Sequence, residues 1–155
     1  MNHKISSVVN AIIFNSKNIS YNRLRDLLFF ANGWHLANHN AALFDDNIIA
    51  MKYGIEIPNL KSYFDRTDIS HIIKYTPKPE IPLSHEDFIK LIIDNYSGLS
   101  DVQLMNYIHD LRLPWAIFKK FFRNDDYEYR ITPIDLIKES FKNIDKSSVN
   151  TGIII

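Results

Sequence analysis

No cysteine occurs among the 155 residues. That removes disulfides, thiolate metal sites and cysteine nucleophiles, and it fits a reducing compartment. Glycine is nearly as scarce. The four glycines stand far apart, so the chain carries no phosphate loop, no dinucleotide fingerprint and no G-x-S-x-G elbow. A charge excess is missing too, since 18 Lys and Arg balance 18 Asp and Glu. Neutrality argues against a nucleic-acid partner, whose phosphates call for a local positive excess. The densest basic stretch, Lys119, Lys120 and Arg123, reads as the solvated edge of one helix. No run approaches the roughly 18 apolar residues of a membrane-spanning helix. The N-terminus, Lys4 followed by a short mixed run, lacks a secretory pattern. The expectation is a soluble cytoplasmic protein that contacts neither membrane nor nucleic acid, with secretion as an effector as the alternative.

What is present is a globular composition, 46% apolar and 13% aromatic, on a chain long enough to build its own core. Four helix starts share one grammar. Ser20, Ser84, Ser100 and Thr132 each suit an N-cap. Each is flanked by an apolar pair at staple spacing: Ile19 with Leu24, Leu83 with Phe88, Leu99 with Leu104, Ile131 with Leu136. Gln103 completes a capping box with Ser100. Asp87 and Asp135 hold the equivalent positions, where a carboxylate suits the helix dipole. Pro133 and Pro114 suit a first helical position.

This grammar predicts helices over 4–14, 21–38, 84–95, 100–111, 114–122 and 132–143, with one helical turn over 60–64. The second helix is apolar nearly all the way round, which marks it as the buried central helix. Gly33 inside it costs about 1 kcal/mol relative to Ala, so a close approach by a neighbouring backbone or ring is expected there. Residues 46–58 are rich in β-favouring side chains, with Gly54 as a bend, and read as a short strand or hairpin. The prolines of 76–82 keep that stretch extended. The fold class is thus mainly α with a small β insertion, a helical bundle around a buried central helix.

Few groupings suggest chemistry. His35 and His39 share a helix face at the i, i+4 spacing of zinc proteases, but Leu36 stands where the general base belongs. The plainer reading has His35 partly buried and hydrogen-bonded, and His39 near the helix C-terminus. Asp45 with Asp46, and Asp125 with Asp126, read as turn and solubility residues. His109 near Pro114 and Trp115 reads as a helix corner plugged by the Trp, or as an exposed aromatic anchor at a binding surface. The same choice applies to Trp34, Lys52 and Tyr53. No cofactor and no metal site is expected.

Three segments carry a resemblance: DLLFFANGWHLA (26–37), IAMKYGIEIP (49–58) and LSDVQLMNYIHDLRLPW (99–115). In order and spacing they resemble the Panacea domain, also described as the SocA-like or GepA phage-associated domain of bacterial and phage antitoxins. That family's motifs look like KLLYYAQGWHLA, EAWKYGPV and LS..EL...TH....PW. The chain departs at Asp26, where the family usually has Lys, at Met51 for Trp, at Ile55 and Glu56 for Pro–Val, and at Ile108 for Thr. It therefore reads as a divergent member.

The resemblance implies one domain over 1–155, with a Panacea-like core over about 5–122 and a C-terminal helix and tail over 123–155. It implies a non-catalytic module that binds and neutralises a protein toxin, or acts as an adaptor delivering it to a AAA+ protease. Candidate partner-binding residues are Trp34, His35, Lys52, Tyr53, His109 and Trp115. The alternatives are an effector or prophage accessory protein on the same scaffold and, behind it, a zinc hydrolase using His35 and His39. The terminal Ile153–Ile155 reads as a packed or disordered end, or as an apolar signal for a protease.

Overall fold

A computed structural model describes residues 3–16, 19–51, 54–66, 77–109, 113 and 130–144. Among the described residues, six helices and three short strands follow in the order α1 (Ile5–Asn15), α2 (Tyr21–His39), β1 (Ile49–Met51), β2 (Gly54–Glu56), α3 (Pro58–Arg66), α4 (Leu83–Tyr96), α5 (Asp101–Ile108), β3 (Arg130–Ile131) and α6 (Ile134–Lys142). The protein is mainly helical, with a small antiparallel sheet in the order β2-β1-β3.

The central helix is α2. Every residue from Asp26 to Leu36 is buried, as a helix apolar on nearly all sides requires. α1, α4, α5 and α6 all pack on it, α6 most extensively. Ser20 caps its start, accepting a hydrogen bond from the Arg23 amide at 3.0 Å. Asn40 ends it in the left-handed conformation, φ 54°, with its N–H donating to the Leu36 carbonyl. Asn tolerates that conformation better than most residues.

Gly33 meets a ring, as its place in a buried helix demands. A Cβ there would overlap the Phe141 ring of α6. Phe141 is fully buried, with its ring centroid 5.4 Å from that of Phe29, 6.0 Å from Phe30 and 5.2 Å from Trp34. These edge-on contacts leave the ring nowhere to retreat.

Two of the four expected caps form. Ser100 and Gln103 make the full capping box, and Ser20 acts as described. Ser84 and Thr132 do not cap. The N-caps of α4 and α6 are Pro82 and Pro133, neither with a side-chain cap bond. Pro82 offers its carbonyl to the His85 and Glu86 amides, and Pro133 offers its own to Leu136 and Ile137. The helix thus starts at Leu83, two residues earlier than a Ser84 cap allows, and Leu83 is left 69% exposed instead of stapled to Phe88. Thr132 is spent elsewhere: its N–H donates to the Ile48 carbonyl at 2.8 Å, continuing the pairing of β1 with β3.

The third strand is the other departure, because no strand is expected over residues 130–131. Arg130 pairs with Ala50, and Ile131 with Ile49. The turn expected over 60–64 is longer, opening at Pro58, where a missing N–H is harmless. The helix expected over 114–122, the Asp125–Asp126 pair and the isoleucine tail lie outside the described residues.

Replacing Gly33 by Ala sets a propensity gain of about 1 kcal/mol against overpacking of about 1–3 kcal/mol or more. We expect the clash to win and Gly33→Ala to lower the urea midpoint. In a Phe141→Leu background the added methyl should cost measurably less than in the wild type, a coupling that a double-mutant cycle reads directly.

Candidate functional site

The four residues Asn32, Gly33, Trp34 and His35 each tie α2 to a different neighbour. Asn32 accepts a hydrogen bond from the Leu43 amide at 2.8 Å through its Oδ1. Gly33 receives the Phe141 ring of α6. Trp34, 1% exposed, donates from Nε1 to the Tyr96 hydroxyl of α4 at 2.8 Å. His35, 5% exposed, lies with Nδ1 2.5 Å from the Ala41 carbonyl, so that nitrogen carries the proton. The segment that carries the first motif is therefore a packing hub.

The N-terminal end of α2 is a polar junction. Arg23 donates to the Tyr96 and Leu99 carbonyls, each at 2.8 Å, and to Asp101 at 3.1 Å. It supplies a cation and donors where α4 ends, the favourable sign for a helix C-terminus. Ser20 donates to Asp101 at 2.8 Å. That bond, with Arg23, holds the Asp101 carboxyl below its ordinary value although partial desolvation opposes it.

Nearby, Glu56 of β2 accepts from the Tyr21 hydroxyl at 2.7 Å and from the Ile57 amide at 2.9 Å. Arg25 stands between two carboxylates, 3.1 Å from Asp26 and 3.9 Å from Glu56. Asp26 is 1% exposed. Burial pushes its carboxyl up to about 6, and the Arg25 guanidinium beside it only partly offsets the rise.

The second and third motifs meet at this end of the molecule. Gly54 has φ +147°, a backbone conformation that L side chains rarely adopt. Its space is not the constraint: a Cβ would lie an ordinary 3.7 Å from His109 Nε2. His109 ends α5 and is half-buried, its N–H bonded to the Met105 and Tyr107 carbonyls. α5 in turn packs on β2 and α2.

Of the six candidate residues, the structure thus brings His109 beside Gly54 and sets Trp34 beside His35 further along α2. About 15 Å of helix separates Arg25, at the Glu56 end, from His35. Lys52, Tyr53 and Trp115 lie outside the described residues. Asp26 and Glu56 had no functional reading in the sequence. The signals were their departures from the family motifs, Asp26 for Lys and Glu56 after the glycine.

His39 lies in the last turn of α2, its ring 4.7 Å from that of His35. Among the described residues no three His, Asp or Glu side chains converge so as to hold a metal ion. No helix among them is long and apolar enough to cross a membrane.

A family model described as "Antitoxin SocA-like, Panacea domain" matches residues 24–116. No curated protein and no solved structure matches the chain.

Asp26 gives this region a pH signature. Its folded value lies above the ordinary carboxylate value, so the folded state holds a proton that the unfolded chain has released. Burial of the charge therefore lowers stability above about pH 6, and the penalty fades as pH falls toward 3.8. We expect Asp26→Asn to raise unfolding stability at neutral pH by about 1–3 kcal/mol. The gain over wild type should shrink to nothing near pH 4, as read by urea unfolding across that range.

Proposed function

The chain belongs to the SocA-like Panacea antitoxin domain family, and from that membership we propose that it neutralises a partner toxin by direct binding, without catalysis. The carrying observation is the match over residues 24–116. In this reading the protein acts by surface complementarity in the bacterial cytoplasm. It either occludes the toxin or, as an adaptor, hands it to a AAA+ protease.

The hairpin and the end of α5 are the contact region we favour. Support comes from the proximity of Gly54 to His109, which brings together parts of two motif segments distant in sequence. Lys52 and Tyr53 join β1 to β2 in the chain, and Trp115 follows α5 in sequence; this reading assigns all three to the same contact region. Tyr and Trp are the side chains that most often anchor protein interfaces. Trp34 and His35 contribute differently. Both are buried, so they act on a partner through the scaffold they hold.

The test is co-expression with the products of neighbouring genes. One of them should arrest growth alone and be neutralised by this chain, in a complex that survives purification. Tyr53→Ala, His109→Ala and Trp115→Ala should each weaken that complex by about 2 kcal/mol, roughly 30-fold in Kd, with little change in thermal midpoint. Trp34→Ala should instead lose about 3–5 kcal/mol of stability and fail to rescue because it unfolds. Rescue accompanied by a shorter toxin half-life identifies the adaptor route, and rescue at constant half-life identifies occlusion. Absence of any neutralised neighbour would remove the reading.

A further inference from the structure

Four of the six histidines meet at one corner of the molecule, from three parts of the chain. His3 Nε2 and His85 Nδ1 lie 2.6 Å apart. The ring of His35 is 5.2 Å from that of His85 and 4.7 Å from that of His39. Phe88 closes the group, its ring 5.1 Å from His35 and 5.7 Å from His39. His35, His39 and His85 line a cleft of about 580 Å³ with Ala41, Asp87 and Phe88.

Two features make this corner sensitive to protons. A hydrogen bond between two imidazoles needs one N–H and one lone pair, so it breaks when both rings are cationic. And every proton added sits within about 5 Å of another imidazole, where like charges repel strongly. The elements joined here have modest anchorage of their own. The first turn of α4 has no side-chain cap bond and an exposed Leu83. The His3 segment is held by a single parallel bridge to Phe44, in which the His3 N–H donates to the Leu43 carbonyl at 2.7 Å.

Few charges oppose the repulsion. On α4, Asp87 lines the cleft, and Glu86 is paired with Lys90 at 3.5 Å. From the N-terminal side come Lys4 and the positive chain terminus. On the end of α2 the titratable groups are His35 and His39 themselves.

We propose that this corner is a pH-operated latch. With its imidazoles neutral, it holds the His3 segment and the first turn of α4 against the end of α2. Protonation in mild acid releases both. The inference stands apart from the antitoxin reading, since it needs no partner.

Burial, followed by the neighbouring histidines and the chain terminus, pushes His35 and His85 below their ordinary value, although the Ala41 carbonyl partly restores His35. The unfolded chain therefore takes up these protons first as pH falls. The stabilisation is complete above the ordinary value of about 6.5 and is lost as pH drops through the lower folded values. Asp26 has the opposite slope over an overlapping range. Global unfolding thus sums two opposed effects, and a local readout is needed.

The experiment is residue-resolved amide exchange on the full chain near pH 7.5 and near pH 5, corrected for intrinsic rates. Protection of the His3, His85 and Glu86 amides should fall about tenfold or more at the lower pH, the equivalent of one pKa unit, while α2 amides near Phe29 hold theirs. In His3→Asn and His85→Asn those amides should already be weakly protected near neutrality and change little on acidification. Uniform loss across the core, no loss at all, or a full acid response in both variants would overturn the latch. So would loss of protection near pH 7.5 on adding EDTA, which would mean that a bound metal holds the corner.

Discussion

The packing of Phe141 onto Gly33 is the contact on which the rest of the core depends. A helix buried on every side needs a neighbour on every side, and α2 reaches that state only because one of its positions has no side chain. The ring that fills the gap also touches Phe29, Phe30 and Trp34, and the Phe30 ring lies 4.5 Å from that of Tyr96, whose hydroxyl accepts a hydrogen bond from the Trp34 indole N–H. Removing one methyl's worth of space from this stack displaces several aromatic rings at once, because close-packed interiors do not deform smoothly. Phe141 lies beyond the matched residues 24–116. The family segment is therefore completed, in this chain, by a helix that the match does not include.

That arrangement changes what the first motif means. Asn32, Gly33, Trp34 and His35 look like a recognition sequence because they are polar or aromatic amid apolar residues. Their partners are Leu43, Phe141, Tyr96 and Ala41, all within the same chain. Each of these polar groups, once buried, needs a hydrogen-bond partner, and leaving one unpaired costs about 1–3 kcal/mol. The motif is specific because it satisfies three such constraints, at Asn32, Trp34 and His35, and one steric constraint at Gly33. Recognition of the family from this segment is recognition of a fold, and partner contacts must come from groups that the fold has not already engaged.

Local features were legible in the sequence and long-range pairings were not. Gly33, Ser20 and the Ser100 box could be read because cap and glycine costs are set within a few residues. Ser84 and Thr132 have the same local grammar, yet Pro82 and Pro133 supplied the helix starts and the sheet claimed Thr132. Tertiary demand overrode a preference worth only about 1 kcal/mol. Strand β3 is two residues long, too short for any alternation to show. His3 and His85 are 82 positions apart, and nothing in either neighbourhood announces the other. Asp26 could be placed in the buried helix, but the sharing of Arg25 with Glu56 is set by β2 and shows in neither neighbourhood.

The two perturbed regions have opposite signs and opposite ends. At one end of α2 a carboxyl is kept partly protonated by burial. Further along, histidines are kept neutral by burial and by one another. A neutral net charge conceals both, because each buried group departs from its ordinary value in the direction that lowers buried charge. Burial of an ionisable group is tolerated in two ways: a counter-charge, as Arg25 offers Asp26, or loss of the charge itself, as at His35. Arg25 offsets only part of the burial at Asp26, so both ends respond to acid, in opposite senses: protons relieve the buried carboxyl and charge the buried imidazoles. In the proposed latch, the histidine end is where this scaffold gives way first in acid.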